Sequence, residues 1–410
     1  MVGSENRSDG FFVRNKSVFV MGLCALTIAA VADLIAGLFL TTMEEIIMLI
    51  PGMMIMIYCA IGMRGNIFGA MGSRLGTSMH MGTFQMTFKK KSVLRSNVEA
   101  VLTLTLLLSA IMGVIGWLIA YRFFGCTIDM MQFTFISMVG GLLAGVIVLV
   151  FNIIIAREGF KRDWDVDNIT APLIAAAGDI ATVPMIYVAT IMARELDLVI
   201  IDVTCIILLI ATAVSTYLIL KRKNPRRKRM NEAKRIIKQS LPILTACILF
   251  EILAGVIIET ETQSLVEYGV LLVLLPAFLN EGNALSGMLT SRLSSMLHLG
   301  TLDSAPLPPR EAYENFAIMY ILALVTFILI GSAAFLMVQP SALPYTQVIM
   351  TVLLAGMLTT TAINFLSYYV AVAAIKFKLD PDDHCIPITS SIMDVVGTAI
   401  LVSVIALLIL

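Results

Sequence analysis

The chain is poor in charged residues, cysteine pairs and histidine. Asp, Glu, Lys and Arg make up only 14% of its 410 residues, whereas soluble proteins carry about 25%. The six cysteines show no Cys-x-x-Cys spacing, which argues against a disulfide framework or a zinc site. Only three histidines and no His-Glu-x-x-His sequence occur. We therefore expect neither a histidine metal site nor an enzyme.

Long apolar runs dominate the sequence instead. Apolar residues make up 59% of the chain, and runs of about 20 residues are long enough to cross a hydrocarbon core. Such runs must be helical, because lipid offers the backbone no hydrogen-bond partners. We predict an all-α, polytopic membrane helical bundle. Its eleven spans are 18–41, 46–80, 98–122, 132–155, 170–192, 198–220, 241–258, 265–297, 313–337, 346–370 and 387–410.

Two of these segments are unusually long. Segments 46–80 and 265–297 exceed the length of one straight crossing. We expect each to project beyond the bilayer or to break midway.

Basic residues concentrate in alternate loops. The strongest run lies in 221–240, which we predict to be a basic cytoplasmic loop and not a nucleic-acid-binding segment. Lys89 and Arg157 fall on the same side, whereas Asp129 lies on the other. The positive-inside rule then predicts a multi-pass protein of the cell membrane, with a short cytoplasmic N-terminus at 1–17 and an outer C-terminus.

The two halves of the sequence share motifs in the same order. Asp33-Leu-Ile-Ala-Gly corresponds to Glu251-Ile-Leu-Ala-Gly, and Gly65-Asn66 corresponds to Gly282-Asn283. We predict two five-helix repeats, 18–197 and 241–410, joined by a linking transmembrane helix at 198–220. Because five crossings are an odd number, the linking helix gives both repeats the same orientation. The repeats are then parallel, unlike the inverted repeats of many transporters. They form a pseudo-dimer within one chain, so a monomer is one candidate oligomeric state.

Four acidic residues lie within predicted spans: Asp33, Asp179, Glu251 and Asp394. An aspartate at the bilayer centre costs roughly 2.5–3.5 kcal/mol, so a functional role is the default hypothesis. They form two symmetric pairs, so a central axis could gather all four. Clustered carboxylates need protons or a cation, and oxygen ligands suit Mg²⁺ or Ca²⁺. The alternative is that they are hydrogen-bond partners between helices.

Asparagines are the candidates for lining an ion pathway. Asn66 and Asn283 follow glycines inside the two long segments, where a loosened helix would expose carbonyl oxygens to a cation. Asn152 and Asn364, late in the fourth span of each repeat, are weaker candidates. Close packing through small residues is the alternative for the Gly-Asn pairs.

Basic residues are expected only near the ends of the spans. Arg74 and Arg292 lie toward the inner ends of the long segments, and we interpret them as reaching toward lipid phosphates. We expect no Lys or Arg deep within a span. This argues against a pocket for an organic anion.

The motifs quoted above resemble those of the MgtE magnesium transporters and the related solute carrier family 41. Gly65-Asn66 with Ser73-Arg74, Gly282-Asn283 with Ser291-Arg292, and the fifth-helix aspartates carry the resemblance. It implies Mg²⁺ transport, with Asp179 and Asp394 binding a partly hydrated ion. The backbone carbonyls of Ala175 and Ser390, one turn earlier, are the further ligands that it implies.

The resemblance also sets expectations about gating and coupling. Bacterial members carry large N-terminal gating domains, whereas about 17 residues precede the first span here, so we expect no such gating. We expect no cofactor beyond the transported divalent ion, with Na⁺ as a candidate coupling ion. The alternative function is a Na⁺- or H⁺-coupled carrier of another ion or small solute.

Overall fold

A computed structural model of the chain describes residues 16–89, 92–162, 166–222, 232–377 and 386–409. Within these ranges it is all-helical, apart from turns and short connections, and contains no strand. The helices are α1 (Lys16–Thr41), α2 (Glu44–Leu49), α3 (Met53–His80), α4 (Val93–Ile119, continued by a π-helical turn at Ala120–Phe124), α5 (Met130–Arg162), α6 (Val166–Glu195), α7 (Leu198–Lys221), α8 (Glu232–Thr260), α9 (Thr262–Glu267), α10 (Gly269–His298), α11 (Arg310–Met337), α12 (Tyr345–Phe377) and α13 (Ile386–Leu408).

Eleven of the described helices are long and apolar enough to cross a membrane. They are all except the short α2 and α9, so the predicted number of spans and the all-α bundle are confirmed for the described part of the chain. The charge pattern assigns one end of the bundle to the cytoplasm, and this end is called the inner end. The first half comprises α1–α6, and the second half comprises α8–α13.

The two overlong segments do not break midway. Each divides near its outer end into a short helix and a long one, at Pro51-Gly52 in the first half and at Tyr268 in the second. Gly52 has a φ of 92°, a left-handed conformation that glycine adopts without steric cost. Helices α3 and α10 continue past Asn66 and Asn283, because a backbone group freed in lipid would find no other partner. Of the two alternatives for the long segments, the break midway is therefore wrong, and α3 and α10 show no interruption at the Gly-Asn pairs.

The predicted basic loop at 221–240 is shorter than expected. Helix α7 ends at Lys221 and α8 already begins at Glu232, while 223–231 lies outside the described residues. Hydropathy indicates which part of a helix contacts lipid, but the polar turns at the inner end of the same helix can continue into water. The start predicted for the second repeat, residue 241, therefore falls inside α8.

The halves pack against each other through their first and second spanning helices. Helix α1 contacts α10 of the other half, and α8 contacts α3. A Cβ built on Gly37 of α1 would lie 2.0 Å from the carbonyl oxygen of Val273, and one on Gly255 of α8 would lie 2.8 Å from Cα of Ile55. Glycine thus lets both helix pairs approach to backbone contact.

A hydrogen-bonded cap also joins the halves at the outer end. The backbone N–H groups of Gly52 and Met54 donate to the Glu259 carboxylate of α8, at 2.6 and 3.1 Å. These N–H groups start α3 and have no partner within that helix. A side chain of the second half therefore caps a helix of the first.

The linking helix α7 lies at the periphery of the bundle. It packs mainly against α4 and α5, and Ser215 is hydrogen-bonded to Thr103 of α4 at 2.8 Å. Only 17% of its most apolar stretch is buried. Its exposed apolar side chains suit contact with lipid.

Candidate metal site

The four membrane acids form two buried pairs. Asp33 of α1 lies within hydrogen-bonding reach of Asp179 of α6, and Glu251 of α8 lies within reach of Asp394 of α13. Each acid is at most 7% exposed. Two carboxylates in contact repel, so each pair must hold a proton or a cation.

The pairs face each other without merging into one cluster. Asp179 and Asp394 interact electrostatically across the boundary between the halves. Among the described residues, however, no three Asp, Glu, His or Cys side chains are grouped around a position for a metal. The expectation that one point gathers all four acids is therefore wrong, because each half pairs its own first and fifth spanning helices.

Asn66 of the first half reaches into the acidic pair of the second half. Its Nδ2 lies 3.4 Å from Glu251 Oε1 and 3.1 Å from Ser391 Oγ. Ser391 donates to Glu251 at 2.9 Å, and Ser390 donates to Asn66 Oδ1 at 3.0 Å. The Glu251–Asp394 pair is therefore built from both halves.

Asn283 of α10 binds the same pair from the other side. Its Nδ2 donates to Asp394 Oδ1 at 2.7 Å, while its own buried Oδ1 has no hydrogen-bond partner among the described residues. Both asparagines of the Gly-Asn pairs thus converge on Glu251 and Asp394. Carboxylate, carboxamide and hydroxyl oxygens are the donors that hard divalent cations prefer.

Glu251 lies directly against the backbone of α3. A Cβ built on Gly62 would lie 2.2 Å from Glu251 Oε2. Sequence reasoning missed Gly62, because its position in the second half holds no glycine to signal the contact.

The Asp33–Asp179 pair has different neighbours. Asn280 donates to Asp33 Oδ2 at 2.7 Å, and the buried carboxylate of Glu281 interacts electrostatically with Asp33. Both neighbours belong to α10 of the other half. This pair therefore also lies between the halves, but no Gly-Asn asparagine is seen to bind it.

Arg64 is a buried basic residue that was not expected from the sequence. It is 1% exposed, its Nη1 donates to Thr182 Oγ1 at 3.0 Å, and its guanidinium interacts electrostatically with Asp179. The expectation of no Lys or Arg deep in a span is therefore wrong. The sequence did contain a clue to this residue. Arg64 directly precedes Gly65-Asn66, and Glu281 directly precedes Gly282-Asn283, so each long segment has a charged residue at the same position.

The weaker pathway candidates lie in helix contacts. Asn152 donates to the Phe68 carbonyl of α3 at 3.0 Å. In the second half Ser367, not Asn364, makes the corresponding contact with Ser286, at 3.4 Å. Asn364 is buried, and its side chain has no hydrogen-bond partner among the described residues.

Ala175 was the carbonyl ligand that the resemblance implied in the first half. It lies on α6 one turn before Asp179, but its side chain lies outside the described residues. Its role stays a prediction.

Arg74 and Arg292 are held by neighbouring helices. Arg74 Nε donates to Asn97 Oδ1, and Arg292 Nε donates to Asn315 Oδ1, both at 2.9 Å. The interpretation that they reach only toward lipid phosphates is wrong. Each joins the second spanning helix of its half to the third.

A small cleft lies about two helical turns inward of the second pair. Leu244 and Pro387, which help to line it, precede Glu251 and Asp394 by seven residues, about 10 Å along a helix. Its walls come from α3, α4, α8 and α13. The lining residues are Ile67, Ala70, Arg74, Leu104, Ser240, Ile243, Leu244 and Pro387.

The described part of the chain has eleven helices that could span a membrane, and they surround buried acidic pairs, which is typical of a multi-pass membrane transport protein. The family model MgtE, described as a divalent cation transporter, matches residues 57–190 and 275–404. The chain belongs to this family. Its function is therefore divalent cation transport, and it is not an enzyme, as predicted. The two matches begin 218 residues apart, one in each half.

Curated relatives support the same family. The chain is 24% identical to solute carrier family 41 member 3 of Mus musculus over 363 residues, covering 83% of this chain and 72% of that protein. It is 22% identical to member 2 of Homo sapiens over 406 residues, covering 92% of this chain and 68% of that protein. These matches confirm the resemblance predicted from the motifs. No solved structure matches the chain significantly.

Proposed function

We propose that this divalent cation transporter carries Mg²⁺ between two parallel halves, and that the buried carboxyl pairs bind the partly hydrated ion. The observation that carries the proposal is the pairing of Asp33 with Asp179 and of Glu251 with Asp394. All four acids lie inside spanning helices, and both pairs receive side chains from the opposite half.

The choice of Mg²⁺ follows from the chemistry of the donors. The groups around the second pair are carboxylates, carboxamides and hydroxyls. Mg²⁺ prefers such oxygen ligands, and it keeps several waters, so a few carboxylates can hold it. Backbone carbonyls of Ala175 and Ser390 would add ligands one turn inward of Asp179 and Asp394.

A coupled carrier of an organic anion is supported less well. Arg64 supplies the buried cation that such a pocket requires, but an acid, Asp179, already interacts with it.

The test is Mg²⁺ flux into proteoliposomes that contain a Mg²⁺-sensitive dye. We expect the double variant Asp179→Asn/Asp394→Asn to lose at least about 90% of the flux, because it removes an ionised carboxylate from each pair. Asp202→Asn is the matched control. It is also an acid of a spanning helix, but it lies exposed on α7, and it should keep the wild-type rate.

Wild-type flux in the double variant would contradict the proposal. Faster flux of Ca²⁺ or Co²⁺ than of Mg²⁺ would overturn the choice of ion. Imposed pH and Na⁺ gradients show in the same vesicles whether the flux is coupled.

A further inference from the structure

One face of α10 carries hydroxyl groups that run inward from the candidate metal site. Ser286, Thr290 and Ser294 follow Asn283 at intervals of three, four and four residues, so the four side chains lie on one face of the helix. The three hydroxyl residues are at most 2% exposed. Ser294 lies about 16 Å from Asn283 along the helix axis, and α10 ends one turn further on, at His298. The face therefore connects the second pair with the inner end of the bundle.

The polar atoms of this face lack hydrogen-bond partners among the described residues. They are the hydroxyls of Ser286, Thr290 and Ser294 and the Oδ1 atom of Asn283. Other buried hydroxyls are satisfied within their own helix, as in α6, where Thr190 donates to the carbonyl one turn earlier at 2.8 Å. A buried polar group without a partner costs about 1–3 kcal/mol. Ordered water is the usual partner where the protein supplies none.

Helix α12 lies against this face and adds an asparagine to it. Ser367 donates to the backbone carbonyl of Ser286 at 3.4 Å. Asn364 precedes Ser367 by three residues, which puts the two side chains on one face of α12. Asn364 is 1% exposed, and its Nδ2 and Oδ1 atoms have no hydrogen-bond partner in the described part of the chain. It therefore brings both a donor and an acceptor to the contact with α10.

The first half has no equivalent row of hydroxyls. At the offset of 218 residues that relates Arg74 to Arg292, the three hydroxyl residues of α10 correspond to Phe68, Gly72 and Gly76. None of these three has a side chain that can form a hydrogen bond. Packing of the second spanning helix therefore does not itself require hydroxyls, and their presence in α10 needs another explanation.

Water fits the spacing and the chemistry of this face. Successive polar side chains are about 4.5–6 Å apart along the helix axis, and one water that makes two hydrogen bonds of about 2.8 Å spans such a gap. Ser, Thr and Asn side chains both donate and accept hydrogen bonds, as water does. The row contains no charged side chain, so it suits water better than a divalent ion.

We propose that this face of α10, together with Asn364, lines a file of buried water molecules that leads from the inner end of the second half to Asn283 and the Glu251–Asp394 pair. Asn283 joins the file to the pair, because its Nδ2 donates to Asp394 while its Oδ1 can accept from water. The file lies inside one half, apart from the route of the ion between the halves. Its role rests on the proposed function, because it supplies water to the partly hydrated ion at the second pair.

Radiolytic footprinting tests the file with water itself as the probe. X-rays split water into hydroxyl radicals, which oxidise a cysteine beside that water. In full-length protein in lipid nanodiscs, the cysteine should be oxidised at least about fivefold faster on the polar face than on the neighbouring face of α10. The polar-face variants are Ser286→Cys, Thr290→Cys and Ser294→Cys, and their controls are Leu285→Cys, Leu289→Cys and Leu293→Cys.

The leucine controls match the polar positions in depth and burial. Each directly precedes its partner on α10 and is 0% exposed, and the apolar space that a shortened leucine leaves stays dry. Mass spectrometry assigns oxidation to individual peptides, so the native cysteines can be kept. Equal oxidation within each pair of variants would overturn the inference. Any one pair that folds is enough to decide.

Removal of the hydroxyls tests the role of the file in transport. Ser286→Ala/Thr290→Val/Ser294→Ala largely keeps the shape of the face and removes no hydrogen bond within the described residues, so the melting temperature should not fall. Mg²⁺ flux should nevertheless fall at least about fivefold, because the ion loses its supply of water. Thr190→Val removes an equally buried hydroxyl from α6 and should keep the wild-type flux. Wild-type flux in the triple variant would overturn the role of the file.

Failure of the proposed function gives a different result. Wild-type protein that transports no Mg²⁺ would reject the proposed function itself. Fast oxidation on the polar face of that same protein would still support the water file, because the footprint does not depend on ion transport.

Discussion

Gly37 and Gly255 hold the two halves in backbone contact, and each leaves no room for a side chain. A Cβ on Gly37 would lie 2.0 Å from the Val273 carbonyl oxygen, whereas ordinary contacts begin near 3.4 Å. Helices α1 and α10 would have to separate by more than 1 Å in Gly37→Ala. Overpacking of this kind costs about 1–3 kcal/mol. Gly255→Ala, with its Cβ 2.8 Å from Cα of Ile55, should cost less.

Two other helical glycines at corresponding positions serve as controls. Gly69 and Gly287 have no atom within 4 Å of a built Cβ, so alanine there should be neutral or stabilising by up to about 1 kcal/mol. The measurement is thermal unfolding of the four purified variants in the same detergent. Equal melting temperatures for Gly37→Ala and Gly69→Ala would refute the close contact between α1 and α10.

Two further substitutions test contacts between the halves. Gly62→Ala should displace the Glu251 carboxyl group, because Oε2 of Glu251 lies 2.2 Å from the built Cβ. Mg²⁺ binding should weaken about tenfold, or ~1.4 kcal/mol. Unchanged Mg²⁺ affinity in a titration would show that Glu251 is not a ligand. Glu259→Ala should destabilise the protein by about 1–2 kcal/mol through loss of the α3 cap. Glu45→Ala, an exposed acid at the same end, should not, and equal melting of the two variants would count against the cap.

The spanning helices could be predicted because bilayer thickness fixes their length. The eleven apolar runs correspond to eleven helices in the part of the chain that the structure describes. The helix ends could not be predicted as well, because hydropathy reports contact with lipid and not the end of backbone hydrogen bonding. Glu232 starts α8 in a segment that is too polar to count as a span. The turn at Gly52 depends on a left-handed backbone that the apolar pattern does not show.

The residues of the candidate site could be selected from the sequence, but the contacts between their side chains could not be predicted. Acids in spans are rare and costly, so Asp33, Asp179, Glu251 and Asp394 could be selected from the sequence. Their partners depend on how the halves cross, and no repeat motif shows that Asn66 binds Glu251 in the other half.

Arg64 was missed for a different reason. An internal repeat draws attention to residues that agree between the halves, whereas Arg64 and Glu281 differ in charge. Positions at which the halves disagree are therefore as informative here as those at which they agree.

The most direct test of the central claim is a structure determined with Mn²⁺, whose anomalous scattering identifies the bound ion. We predict a peak at a buried carboxyl pair, Asp33 with Asp179 or Glu251 with Asp394, within about 2.0–2.6 Å of a carboxylate oxygen or one water further away. An ion at the second pair should also have Asn66 and Asn283 beside it. A saturated protein that carries its ion away from both carboxyl pairs would contradict the account.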